Sequence, residues 1–102
     1  MSTADTKVKT QSRVNVESFE PSMWKVIFHN DDVTPKQFVT QILIEIFNKT
    51  EDQAVNLCKT IHEKGKGVVA VYPFDIAETK SLEATEVARS NSYPLKVSIE
   101  QE

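Results

Sequence analysis

Two adjacent carboxylates, an amide and an imidazole stand together in the segment His29-Asn30-Asp31-Asp32-Val33-Thr34-Pro35. Neighbouring carboxylates repel one another, so such a segment is either dissolved in water or faces a positive charge. Three kinds of chemistry suit the set. Asn and Asp cap local N–H groups where a strand turns into a helix, and acids just before a helix interact well with its positive end. That accounts for one acid, but Thr34 already offers a cap. A second use is metal binding, in which His29, Asp31 and Asp32 join His62 around a divalent ion; adjacent residues of an extended segment point to opposite faces, however, and do not all converge. The third is recognition of an ammonium group that carries an apolar substituent. A free peptide N-terminus with a large first side chain is such a ligand, and its α-amine, with a pKa of about 7.7 to 8.0, is mostly protonated at neutral pH.

Hydrolytic chemistry has less to stand on. The chain has no nucleophile elbow, no Ser-His-Asp set and no Gly-rich phosphate loop. Its one cysteine, Cys58, lies on an apolar helical stripe and reads as a small buried hydrophobe. We therefore expect no catalytic residues, no cofactor and no metal. His62 follows Ile61 and lies one turn beyond Cys58, at the edge of the same stripe. A packed histidine with a single hydrogen bond is the ordinary occupant of such an edge, yet a neutral imidazole nitrogen can also accept a proton from an amine that Asn30 and an Asp contact.

The elements that must hold these groups are legible in outline. A chain of 102 residues, 39% hydrophobic and 26% charged, suits one domain with a modest core. Twelve basic against 15 acidic residues give a net charge of −3, and no Lys/Arg run forms a stripe for a phosphate backbone, which argues against nucleic acid. A single cysteine suits a reducing compartment. No window approaches the roughly 18 to 20 apolar residues of a membrane span, and the N-terminus lacks the apolar stretch of a secretory signal, so a soluble cytosolic protein is expected. Residues 1–22, rich in Ser and Thr, read as a flexible extension, followed by one domain over residues 23–102.

Within that domain, Trp24–Phe28 is a short apolar, partly β-branched run and reads as a strand. Thr34, Pro35 and Gln37 form a helix-start signal with Thr34 as cap and Gln37 completing a capping box. Phe38, Val39, Ile42, Leu43, Ile46 and Phe47 then recur at helical spacing. A second helix, about residues 51–64, carries Ala54, Leu57, Cys58 and Ile61 on one face and stops at Gly65, which suits a left-handed C-terminal residue. The run Val68-Val69-Ala70-Val71-Tyr72 lacks alternation, as expected for a strand covered on much of both faces, although so short a run is also compatible with a helix. Residues 75–89 read as a third helix with Ile76, Ala84, Val87 and Ala88 inward, and Leu95, Val97 and Ile99 alternate with polar residues in a half-exposed strand. The expected fold is a small single α/β (α+β) domain of order β-α-α-β-α-β.

The runs WKVIFHNDDVTPKQFV, AVNLCKTIHEKGKGVVAVYPFDIAETK and SNSYPLKVSIE, at these spacings, resemble ClpS, the adaptor family that delivers N-degron substrates to Clp-type AAA+ proteases. The resemblance covers about residue 21 to the C-terminus. It implies a three-stranded antiparallel sheet packed with three helices, as in the C-terminal domain of ribosomal protein L7/L12. It implies a substrate α-amine held by Asn30, Asp31, Asp32 and His62. The first side chain of the substrate, Leu, Phe, Tyr or Trp, would enter a pocket lined by Thr34, Lys36, Val39, Leu43, Cys58, Ile61 and Leu95. Asp75 and Lys80 match the family's contacts to the N-terminal domain of a ClpA- or ClpC-type unfoldase, and the flexible extension matches a segment that assists handover. The setting implied is the bacterial cytosol or a plastid stroma.

Three positions depart from the family pattern. Lys36 stands where many members carry a Met that gates the pocket, and its aliphatic stem can fold over the mouth. Cys58 replaces a larger Met, which alters pocket depth, and Asp75 replaces a Glu with a longer reach. Two other functions remain to be weighed beside the adaptor. One is a protein-docking module of the same fold, in which HNDD only shapes a turn. The other is a small metal-dependent hydrolase.

Overall fold

A computed structural model describes residues 22–102, so the expected flexible extension, residues 1–22, lies outside the described residues apart from Ser22. The chain runs β1 (Met23–His29), α1 (Lys36–Glu45), α2 (Glu51–Lys64), β2 (Lys66–Pro73), α3 (Phe74–Ser90) and β3 (Lys96–Gln101). The strands form one sheet of order β2-β1-β3, and both pairings are antiparallel. β1 is the central strand, and this places the HNDD segment at the middle of one sheet end. There His29 sits opposite Lys66 on one side and Lys96 on the other.

Strand alternation sends Val26 and Phe28 to the helix-covered face, where they join Val39, Leu43, Phe47, Ile61 and Val69 in the core. Phe28, Leu43, Leu95 and Val26 are the largest fully enclosed side chains, and each contributes about 1.5 to 3 kcal/mol by leaving water. The other face of the sheet carries Lys25, Val68 and Val71 toward solvent. β2 is therefore half-buried, with Gly67 and Val69 enclosed and Val68 and Val71 exposed. The expectation of a strand covered on much of both faces is corrected: the three helices pack on one side, and among the described residues the other side leaves Val68 and Val71 exposed, with Ile27 of the central strand enclosed at 5%.

α1 presents the expected stripe, with Val39, Ile42 and Leu43 buried. Its start differs from the sequence reading. Pro35, in an extended conformation, takes the N-cap position, and no side-chain cap bond forms. The Thr34 hydroxyl is already committed to Asp31, so the Thr34–Gln37 capping box does not exist. The box lies instead at the start of α2, where the Thr50 hydroxyl accepts from the Gln53 N–H at 3.1 Å and the Gln53 side chain accepts from the Thr50 N–H at 3.0 Å.

α3 is the other correction. Its buried residues are Ala77, Ser81, Ala84 and Ala88, whereas Ile76 is 45% and Val87 38% exposed. Small side chains let this helix lie close on the sheet, so its larger apolar residues face outward.

α2 ends at Gly65, in the left-handed region at φ 85°. The same residue fixes the functional loop, because its carbonyl accepts the Asn30 N–H at 2.8 Å. A Cβ at Gly65 meets nothing within 4 Å, so Gly65→Ala tests the backbone alone. A left-handed Ala costs about 1 to 2 kcal/mol, partly offset by reduced freedom of the unfolded chain. The variant should lose about 1 kcal/mol of stability in urea titration, and an unchanged midpoint would contradict the cap.

Candidate amine-binding notch and apolar recess

Strand alternation splits the HNDD segment. Phe28 turns into the core, while His29 turns to the outer face and its Nε2 lies 2.7 Å from the Ser98 hydroxyl. Burial, reinforced by the Lys96 and Lys66 ammonium groups, holds the His29 pKa below the ordinary imidazole value. Past the end of β1, Asn30, Asp31, Asp32 and Thr34 line a cavity of about 250 Å³ together with His62 from the last turn of α2. Its remaining walls are Val39 and Lys36 of α1 and Cys58 and Ile61 of α2. Among the described residues no group of three His, Cys, Asp or Glu side chains is placed to hold a metal ion.

Asp31 builds the loop. One carboxylate oxygen accepts the N–H groups of Val33 at 2.8 Å and Thr34 at 2.7 Å, and the other accepts the Thr34 hydroxyl at 2.9 Å. Burial alone would push this carboxyl up, but the hydrogen bonds from Thr34 and Val33, with a smaller pull from the Arg89 guanidinium, hold its pKa below the usual carboxylate value. Asp31 thus stays ionised with much of its acceptor capacity used. Asp32 is exposed at the rim.

A smaller recess of about 20 Å³ shares several of these walls and is bounded by Phe28, Val39, Ile61 and Leu95 on its apolar side and by Thr34 and residues 29–31 on the other. Leu95 reaches only this recess. Leu43 lines neither space and is wholly enclosed in the core, so its expected place in the pocket wall is corrected. Val39 and Leu43 share a helix face one turn apart, and only Val39 is near enough to the loop. Phe28, Gly65 and Gly67 were not among the residues expected at the site. Phe28 floors the recess, Gly65 anchors Asn30, and Gly67 leaves room for Ile61.

Gly67 therefore tunes the cavity. A Cβ there would lie 3.0 Å from Ile61 Cγ1, and Ile61 borders both spaces. Gly67→Ala should push Ile61 toward the open volume and narrow it. If the cavity takes a first side chain, affinity for Phe-first peptides should fall about threefold more than for Leu-first peptides, about 0.6 kcal/mol. Equal changes for both would show that Ile61 moves elsewhere.

Cys58 bridges the two helices. Its Sγ lies 3.2 Å from the Thr40 hydroxyl, which itself donates to the Lys36 carbonyl at 2.9 Å. The residues expected to meet an unfoldase lie on α3, away from the cavity. Asp75 is exposed in its first turn, and half-buried Lys80 donates to the Ile46 carbonyl at 2.8 Å, closing the end of α1.

A small open-sheet domain with a notch of carboxylate, amide and imidazole groups opening beside an apolar recess has the form of a peptide-binding module, and no helix among the described residues is long and apolar enough to cross a membrane. The sequence profile of the family described as ATP-dependent Clp protease adaptor protein ClpS matches residues 19–98, and the chain belongs to that family. A relative from Shewanella denitrificans, named ATP-dependent Clp protease adapter protein ClpS, is 48% identical over 92 residues, 90% of each chain. One of the same name from Shewanella halifaxensis is 45% identical over 101 residues, 99% of each chain. Among solved structures, Agrobacterium tumefaciens ClpS2 bound to L-phenylalaninamide aligns with a TM-score of 0.79 at 41% identity, covering 81% of this chain and 100% of that one. The three-helix, antiparallel three-strand architecture matches that neighbour. The chain is an adaptor of Clp protease, not an enzyme.

Proposed function

We propose that this adaptor binds proteins bearing a free α-amine and a bulky hydrophobic first residue, Leu, Phe, Tyr or Trp, and delivers them to the N-terminal domain of a ClpA- or ClpC-type unfoldase. The observation that carries the reading is the shared cavity: Asn30, Asp31, Asp32 and His62 line it together with Val39, Cys58 and Ile61. Its size, about 250 Å³, is below that of pockets for drug-sized molecules and suits one side chain. The ligand of the Agrobacterium relative, L-phenylalaninamide, has the same two features, a free α-amine and an aromatic side chain.

In this reading the Asn30 side-chain oxygen and a His62 ring nitrogen accept from the ammonium group, and the exposed Asp32 supplies negative charge. Asp31 fixes the loop and adds field. The first side chain passes between Val39 and Ile61 toward Phe28 and Leu95, with the Lys36 stem over the mouth. One buried Leu or Phe side chain contributes about 1.5 to 3 kcal/mol, and each hydrogen bond to a charged group adds about 1.5 to 3. After the cost of association these give an affinity in the micromolar region, weak enough for release.

Delivery needs a second surface. Asp75 is exposed in the first turn of α3, where Phe74 and Ile76 are also partly exposed on other sides of the helix, and Lys80 is on the same helix. This end carries the proposed unfoldase contact. The cytosol or stroma is the proposed setting.

A peptide panel varying only the first residue tests the reading. Leu-, Phe-, Tyr- and Trp-first peptides should bind in the micromolar range, Ser-first peptides at least about tenfold more weakly, and Asn30→Ala should weaken all binders without lowering the melting temperature. Indifference to the first residue would point instead to a docking module that only shares the fold.

A further inference from the structure

An open groove of about 830 Å³ runs between α1 and α2, and it shares Lys36, Cys58 and His62 with the cavity that takes the first residue in our reading. We propose that this groove seats residues 2 to 5 of the substrate, preferring an apolar side chain at position 3 and a basic one at position 5. The inference rests on the first-residue reading and extends it along the substrate.

The direction follows from the shared sill. With the amine among Asn30, Asp32 and His62 and the side chain between Val39 and Ile61, the carbonyl of the first residue can leave over Cys58, where the two spaces meet. α1 and α2 run in opposite directions along it, so the groove begins beside Lys36, Lys59 and Glu63 and ends beside Glu45 and Glu51. The α1 wall, from Lys36 to Glu45, is about 14 Å long at 1.5 Å per residue. An extended peptide at about 3.3 Å per residue covers it with about four residues.

Alternation along an extended peptide puts positions 1, 3 and 5 on one side. If position 1 enters the cavity, position 3 comes down mid-groove beside Val55, 52% exposed, with Ile44, 36% exposed, just beyond it toward the far end. Position 5 then reaches the end that carries Glu45 and Glu51, where a basic side chain is complementary. Two apolar side chains left in water on facing helices, in a groove with an acidic far end, thus gain a partner from the chain the adaptor already holds.

The probes are L-phenylalaninamide and two amidated pentapeptides, Phe-Ser-Leu-Ser-Lys and Phe-Ser-Ser-Ser-Ser, titrated calorimetrically. The first pentapeptide should bind about tenfold more tightly than the second. Val55→Glu, at a half-exposed position, should remove most of that difference while leaving phenylalaninamide affinity and melting temperature unchanged. Glu45→Lys should transfer the preference at position 5 from Lys to Glu by about threefold. Equal affinity of the two pentapeptides, or a preference that survives Val55→Glu, overturns the inference, as does a wild-type dimer in sedimentation that Val55→Glu dissociates. Absence of phenylalaninamide binding would instead sink the first-residue reading, and the groove assignment with it.

Discussion

Acetylating the α-amine of a Phe-first peptide should lower its affinity for this protein by at least about a hundredfold. Acetylation deletes the positive charge and adds bulk. Two acceptors, Asn30 and His62, then face an amide that offers one N–H, and Asp32 loses its counter-charge at the rim of the cavity they share. Losing two hydrogen bonds to a charged group removes about 3 kcal/mol or more, which is the stated factor. The aromatic contribution is untouched, so some weak binding should persist. Titrating matched free and acetylated peptides makes the comparison, and affinities within a few-fold of each other would show that the notch does not read the amine.

The second large effect separates two neighbouring acids that composition cannot tell apart. Asp31→Ala should both destabilise the domain and weaken peptide binding about tenfold or more, whereas Asp32→Ala should leave the melting temperature unchanged and weaken binding alone. Asp31 accepts three hydrogen bonds that shape the loop, worth about 1 to 3 kcal/mol together in this partly exposed setting. Asp32 is exposed and makes no such bonds among the described residues. The pH dependence follows from the lowered Asp31 pKa. A carboxyl whose folded pKa lies below its unfolded value of about 3.9 stabilises the fold fully above that value. The contribution disappears as pH falls through the folded value. Wild type should therefore lose more stability on acidification than Asp31→Ala, and urea titrations between neutral pH and about pH 3 would show it. Equal losses, or equal destabilisation by both substitutions, would place the loop's support elsewhere.

Most of the architecture was legible because its signals are periodic. The α1 stripe and the arrest of α2 at Gly65 are both present, and Val97 and Ile99 pack on the core while Ser98 between them meets His29 on the other face, although Leu95 precedes β3. What escaped depends on distance between elements. The inner stripe of α3 is made of Ala77, Ser81, Ala84 and Ala88; hydrophobicity pointed to Ile76 and Val87, whereas close approach to the sheet demands small side chains. The β2 run looked covered on much of both faces because its residues are all apolar, yet among the described residues Val68 and Val71 stay exposed on the face away from the helices. Thr34 seemed a helix cap until a nearer partner, Asp31, took its hydroxyl. The true capping box, Thr50 with Gln53, has an equally plain sequence signature.

The cavity was partly readable for a different reason. Resemblance indicated which residues share it, and nine of them do surround one space, but resemblance alone could not separate Val39 from Leu43, one helical turn deeper. Gly67 stands in KGKG with no periodic signal to mark it. Its meaning, room for Ile61, needs the packing of α2 on β2.

The most direct test is a crystal structure of this protein with a Phe-first peptide. The α-amine nitrogen should lie within about 3.2 Å of both the Asn30 side-chain oxygen and a His62 ring nitrogen, with the aromatic ring between Val39 and Ile61. An amine turned to solvent, or a ring lying outside that gap, would contradict the first-residue reading.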